Sequence, residues 1–255
     1  MAIARDKNGT PLIGVGMNIV RGEVESCTPI HKFGHGPDVG TARRTMWGIN
    51  SEYTYPGSAF RMKISSTNSV DTHGATGAHS VKFTFLNSAY ELTTETHSLN
   101  GHNVVLTTDY AVRMFRAQVI KSGSLGKNVG LIYSGGGTVT DGDPAEKFTF
   151  IGCGDGQTLQ SFYTVPASFD LMMTDLYGSV ASGKSVELDI WAREFEETMV
   201  IKEVHHLYEG SLDHAFDPPV KFKTKTDIEI RVRGAASATD TSGGFHGILV
   251  PSDDL

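Results

Sequence analysis

Apolar and polar residues alternate along most of the chain. In Phe60-Arg-Met-Lys-Ile64, Val81-Lys-Phe-Thr-Phe85 and Val186-Glu-Leu-Asp-Ile-Trp191 the apolar side chains fall on every second position. That is the period of a half-buried strand, whose side chains point to opposite faces in turn. The polar link Asn87-Ser-Ala89 joins the second run to Tyr90-Glu-Leu-Thr-Thr-Glu-Thr96, the pattern of a hairpin. Asn100-Gly101 marks another turn ahead of residues 104–108. Tyr110, Val112, Met114, Arg116, Gln118 and Ile120 share one mixed face of the next run, as in a curved or partly covered strand. Residues 169–177, 220–232 and 244–250 repeat the theme, and residues 199–208 fit a short helix or a strand equally. Short strands without a long 3.6-residue period predict an all-β protein, built from β-sandwich or jelly-roll-like domains.

Residues 1–45 read differently. PLIGVGMNIV and CTPIHKFGHGPDVG carry Gly and Pro without a sustained period, so the segment is expected to be an extended N-terminal arm ordered by lying on something else. Ile13, Val15, Met17 and Ile19 alternate strictly and are the candidate partner-binding residues, an added strand on a neighbour's sheet. On this reading a chain lacking residues 2–40 keeps a folded core. Residues 46–155 form a first sandwich and residues 156–255 a second, with a soft boundary at the glycine cluster Gly152-Cys-Gly-Asp-Gly156; the alternative is one integrated β unit. Residues 134–144 read as a long turn-rich loop.

Composition narrows the function classes. The 29 glycines among 255 residues suit a protein with many tight turns, and 9% aromatic with 20% charged residues is ordinary for a folded chain. A formal charge of −7 with scattered Lys and Arg argues against a nucleic-acid partner, which needs clustered cations. Cys27 and Cys153 cannot build a disulfide scaffold and lack zinc-ligand spacing, so they read as free thiols. MAIARDKNGT lacks the apolar core of a signal peptide, and no apolar run approaches the ~20 residues of a membrane span, so neither membrane nor export is expected.

Candidate chemistry is sparse. Gly152-Cys-Gly-Asp-Gly156 lacks the helix that a phosphate-cradling glycine loop opens, and turn glycines explain it. Asp141-Gly-Asp143 resembles the start of a calcium loop without its later carboxylate; turn chemistry is the plainer account. His31 and His35 lie in a Gly- and Pro-containing segment that is no helix, and His205-His206 diverge on a strand. Glu194, Glu196 and Glu197 suit a solvated acidic rim. No Gly-x-Ser-x-Gly elbow is present. Trp47, Tyr53 and Tyr55 are the one tempting aromatic platform for a glycan, and core packing explains them as well. No catalytic residue, cofactor or metal ligand is assigned, and the chain is not expected to be an enzyme.

An ordered series of fragments carries a resemblance. Pro37-Asp-Val-Gly-Thr41, Tyr53-Thr-Tyr-Pro56, Asp71-Thr-His-Gly-Ala-Thr-Gly-Ala78 and Thr94-Glu-Thr-His-Ser-Leu-Asn-Gly101 lead into Gly156-Gln-Thr-Leu-Gln-Ser-Phe-Tyr-Thr-Val-Pro-Ala167 and Pro219-Val-Lys-Phe-Lys-Thr-Lys-Thr-Asp-Ile-Glu-Ile230. Together they resemble uncharacterised virion structural proteins of tailed bacteriophages, many marine or freshwater. Asn87-Ser-Ala89 and Ser168 depart from that pattern at turns. The resemblance implies a component of the virion, made in the host cytoplasm. Most favoured is a capsid cement or decoration protein, partnered by the major capsid protein or other virion proteins. A homo-oligomer, with a trimer as the guess, fits that role. Alternatives are a tail, fibre-anchoring or head-to-tail component, and a carbohydrate-binding jelly-roll module.

Overall fold

The computed structural model describes residues 15–236 and 239–252. Its elements are a short helix α1 (Val15–Val20) and strands β1 (Thr28–Val39), β2 (Arg44–Thr45), β3 (Lys63–Ser66), β4 (Ala78–Asn87), β5 (Leu92–Ser98), β6 (Val105–Leu106) and β7 (Ala111–Ser122). There follow β8 (Ile132–Thr140), β9 (Asp143–Ile151), β10 (Phe162–Thr164), β11 (Phe169–Arg193), β12 (Val200–Phe222), β13 (Asp227–Gly234) and β14 (Thr239–Pro251). The protein is all-β, as the alternation requires. One seven-stranded sheet runs β1-β14-β11-β13-β10, with β12 also on β11 and β2 also on β13; the others are β6-β3-β8-β9 and β5-β4-β7.

The cleanest alternations land where expected. Val81, Phe83 and Phe85 on β4 are fully buried, and so, within a few per cent, are Val186, Leu188 and Ile190 on β11. Asn87 closes the β4–β5 hairpin by accepting from the amides of Ala89 (2.9 Å) and Glu91 (3.0 Å) through its side-chain oxygen. A single core cluster contains Met62, Phe85 and Met114 from before residue 155 and Phe162, Leu188 and Phe245 from after it. Residues on both sides of the soft boundary therefore share one apolar interior.

Several expectations need correction. Residues 134–144 are not a loop: they belong to β8 and β9, joined by the two-residue turn Asp141-Gly142. Both turn residues have positive φ (48° and 80°), which matches the twist of a tight hairpin and which Asp and Gly tolerate. The alternating run 220–232 is two strands, because Lys225 (φ 60°) turns the chain and the Asp170 carboxylate accepts from the Thr224 amide (3.1 Å). Conversely, residues 169–177 and 186–191 lie on one continuous strand, β11. Residues 200–208 are strand rather than helix.

The arm is corrected most. Ile13 lies outside the described residues. Val15 to Val20 are helical rather than an added strand, so the alternation there does not describe a sheet face. Within α1, Met17 is exposed and Ile19 is buried. A helix places the two on different sides, where a strand would have aligned them. Residues 28–39 pair with β14 from Thr28↔Leu249 to Val39↔Thr239. Backbone pairing explains how a Gly- and Pro-bearing stretch with little apolar period holds a place in the sheet.

The sheets are tied by buried charge. Asp227, at the start of β13, accepts from Arg113 Nε (2.7 Å) and Nη2 (3.0 Å) of β7, from Arg193 Nη2 (2.5 Å) of β11, and from the Thr164 hydroxyl (2.6 Å) of β10. Burial alone would depress the Arg113 pKa, but the hydrogen bonds and charge of Asp227 hold it above its ordinary value. A second buried carboxylate, Asp71, accepts from the amides of Ala78 (2.8 Å), Val129 (2.9 Å) and Gly130 (2.7 Å) and from the Ser66 hydroxyl (2.7 Å).

Two outcomes follow. Asp227→Asn removes the charge between two arginines, and should lower unfolding free energy by about 3–5 kcal/mol in a denaturant melt. Deleting residues 2–40, contrary to the arm reading, removes β1 and strips one edge of β14, which keeps only β11, so the truncated chain should lose its cooperative thermal transition.

Candidate functional site

The longest strands supply the most distinctive surface. β11 and β12 form one antiparallel ribbon, from Leu171↔Phe222 to Ala192↔Val200. The ribbon has two legs. In the first, β11 also pairs with β14, from Phe169↔Pro251 to Val180↔Thr241; in the second it pairs with β13, from Val186↔Gly234 to Arg193↔Asp227. Between them the register slips at Val180/Ser185, opposite Glu209 and Gly210, which both have positive φ (50° and 106°). The ribbon folds over at this point. A side chain at Gly178 on the first leg would meet Leu188 of the second at 3.0 Å, so glycine lets the legs close together.

β12 pairs only with β11, so from Val200 to Tyr208 its other edge has no strand partner among the described residues. Such an edge is a template for another chain unless it is covered or charged. Here it bears exposed Val200, Ile201, Val204 and Tyr208, the last 80% exposed. Folding the ribbon also gathers side chains that the sequence keeps apart. His206 points outward and lies 3.9 Å from Glu187, whereas His205 turns inward and its ring lies 4.8 Å from that of His214 on the other leg. His205 and His206 thus diverge as expected, but His205 converges with a residue nine positions on. The periodicity of one straight strand could not reveal a bend that reverses the chain.

A second cluster lies where β1, β14 and β11 run side by side. His31 stacks on His246 with ring centroids 4.5 Å apart, and His246 Nδ1 lies 2.5 Å from Asp175 Oδ1. His31 Nε2 is 2.8 Å from the Tyr177 hydroxyl, which itself donates to the Lys32 carbonyl (3.0 Å). Burial, followed by the charges of His246 and Arg116, lowers the His31 pKa. Beneath this cluster Lys32 is enclosed, its Nζ donating to the Phe115 carbonyl (2.6 Å). Burial, with Arg116 nearby, brings its pKa down to about 7.

The other sequence candidates resolve simply. Trp47 and Tyr53 are interior, and the Tyr53 ring stacks on Phe162 at 3.9 Å, so they form no exposed platform. Tyr55 lines a groove of about 540 Å³ with Trp47, Ile49, Phe60, Glu146 and Phe148. On its other side the Tyr55 ring meets the guanidiniums of Arg113 (4.8 Å) and Arg193 (4.7 Å). Asp143 pairs with Lys147 (2.8 Å) where β9 begins. The carbonyl of Gly152 accepts from Asn128 Nδ2 (2.7 Å), and Gly154 and Gly156 have positive φ (81° and 68°), as turn glycines do. Cys27 and Cys153 are free thiols. No described helix is long and apolar enough to cross a membrane.

No family model and no curated protein matches the chain. Among solved structures, a chain of infectious bursal disease virus Gt strain is 10% identical at a TM-score of 0.24, with 100% of this chain and 80% of that chain covered. The infectious bursal disease virus VP2 subviral particle is 10% identical at 0.25, covering 95% and 79%. The cysteine protease and lectin-like domains of Cwp84, a surface layer associated protein of Clostridium difficile, are 9% identical at 0.21, covering 77% and 64%. At such TM-scores these likenesses say nothing of what this chain does.

Lys32 gives the protein a signed pH dependence. Below pH about 7 the ammonium is charged in folded and unfolded chains alike, and its burial cost is present in full. Between about 7 and the ordinary 10.5 only the unfolded chain holds the proton, so stability rises with pH over that window. Urea midpoints across that range should climb for the natural chain, and the climb should flatten in Lys32→Met.

Proposed function

We propose that the chain is a structural component of a virus particle, a capsid cement or decoration protein of a tailed phage. The reading rests on the ordered resemblance given above and on an all-β scaffold. The observation that carries it is the open edge of β12. Charges and the Pro218-Pro219 pair guard the far part of this edge, but Val200, Ile201, Val204 and Tyr208 leave an exposed apolar stretch that supports a partner there. In a particle, the edge would take a strand of a neighbouring capsid protein. Backbone hydrogen bonds would supply the affinity and alternate side-chain pockets the register.

This relocates the attachment surface. The sequence pattern assigned it to Ile13, Val15, Met17 and Ile19; of these Ile19 is buried and Met17 sits on a short helix. β12 is the better candidate because it presents both unpaired backbone and apolar side chains.

Quantitative mass spectrometry of purified particles, scaled to the major capsid protein, tests the assignment. Hundreds of copies are expected; about a dozen would move the protein to the tail or a fibre base, and absence would remove it from the particle. The double variant Val204→Lys/Tyr208→Lys, which charges the edge while leaving the core intact, should fold normally and incorporate at least about tenfold less.

A further inference from the structure

We propose that Glu203, His205 and His214 form a binding site for one divalent transition-metal ion, of the class of zinc, cobalt or nickel, which clasps the two legs of the folded β12 strand. The proposal concerns the ribbon itself and stands whether or not the chain belongs to a virus particle.

Geometry carries it. Glu203 and His205 are two positions apart on a strand and so project to one side. His214 comes from the opposite leg, brought back by the bend at Glu209 and Gly210. Among the described residues this is the one group of three potential ligands whose donor atoms all lie within 4.8 Å of one another. Glu203 Oε1 lies 3.2 Å from His205 Nε2 and 3.5 Å from His214 Nε2. Tetrahedral zinc with bonds of about 2.0–2.1 Å separates its ligands by roughly 3.3 Å, which the two Glu203 distances already match, while the two imidazoles, within 4.8 Å, would draw together on the ion.

The chemistry agrees. His205 Nε2 is shielded from solvent, and the Glu203 carboxylate 3.2 Å away is poorly aligned to accept a hydrogen bond from it. A metal bond would satisfy it. Two imidazoles and one carboxylate suit zinc-class ions, whereas calcium and magnesium favour all-oxygen sets. Glu203 and His214 are each more than a third exposed or close to it (35% and 41%), so an ion can enter and a fourth position can face water.

The test uses the full chain stripped with EDTA and dialysed. Titration calorimetry with zinc chloride should give one strong equivalent, and cobalt should develop the intense visible bands of tetrahedral coordination. Calcium and magnesium should give neither. His214→Gln and Glu203→Gln, both at partly exposed positions, should each weaken zinc binding at least about tenfold. His31→Gln and His246→Gln, in the other histidine cluster, should leave it unchanged. Weak zinc binding without cobalt bands, or binding insensitive to His214→Gln and Glu203→Gln, would overturn the site. The cobalt spectrum of the natural chain keeps the test decisive if a variant fails to fold.

Discussion

Asp227 is the point at which the molecule is held together. One carboxylate, almost without solvent, is shared by guanidiniums from β7 and β11 and a hydroxyl from β10. Two cations and one anion in a poorly polarisable interior are tolerable only with every atom in place, because the cost of removing charges from water exceeds any single attraction. The arrangement fixes where the small β5-β4-β7 sheet sits against the larger one. Apolar packing alone would allow it to slide; a bidentate ion pair does not. Asp71 performs the same office locally, tying the amide of Ala78, where β4 begins, to those of Val129 and Gly130, which lie outside any strand.

How much of this was legible depends on the distance between cause and effect. β4 and the second leg of β11 were plain as strands from periodicity, since every second side chain enters the apolar core. The Asn87 turn was legible because its side chain bonds only to its own neighbours. The signal failed where neither face is simply wet or dry. On β11, Glu187 and Asp189 alternate with apolar residues yet are themselves enclosed, Glu187 by Arg43 and Arg233 and Asp189 by Arg43. Around Lys225 a perfect alternation continues through a turn, because hydropathy carries no record of a positive φ.

The candidate sites were less legible than the fold. His205 and His214 lie on one strand at a spacing that no regular element brings together, and His31 meets His246 only through the pairing of distant strands. Metal-ligand spacing rules describe compact turns and helices, so a site made by folding a ribbon onto itself escapes them. Exposed apolar residues on β12 were equally hidden: Val204 and Tyr208 look like any strand residues until the neighbour that would cover them is seen to be missing among the described residues.

The pairing of β1 with β14 has a kinetic meaning. Thr28 and Leu249 are among the most widely separated residues described, yet they are partners in one ladder. Contacts so far apart in sequence reward the chain only after the intervening loop has been closed, and such topologies fold slowly. On a ribosome, β1 emerges before β14 and waits for its partner until β2 to β13 have been made. During that interval its backbone is unclaimed, and the lysine it will bury is still in water. The order of synthesis and the order of assembly are therefore opposed at this edge.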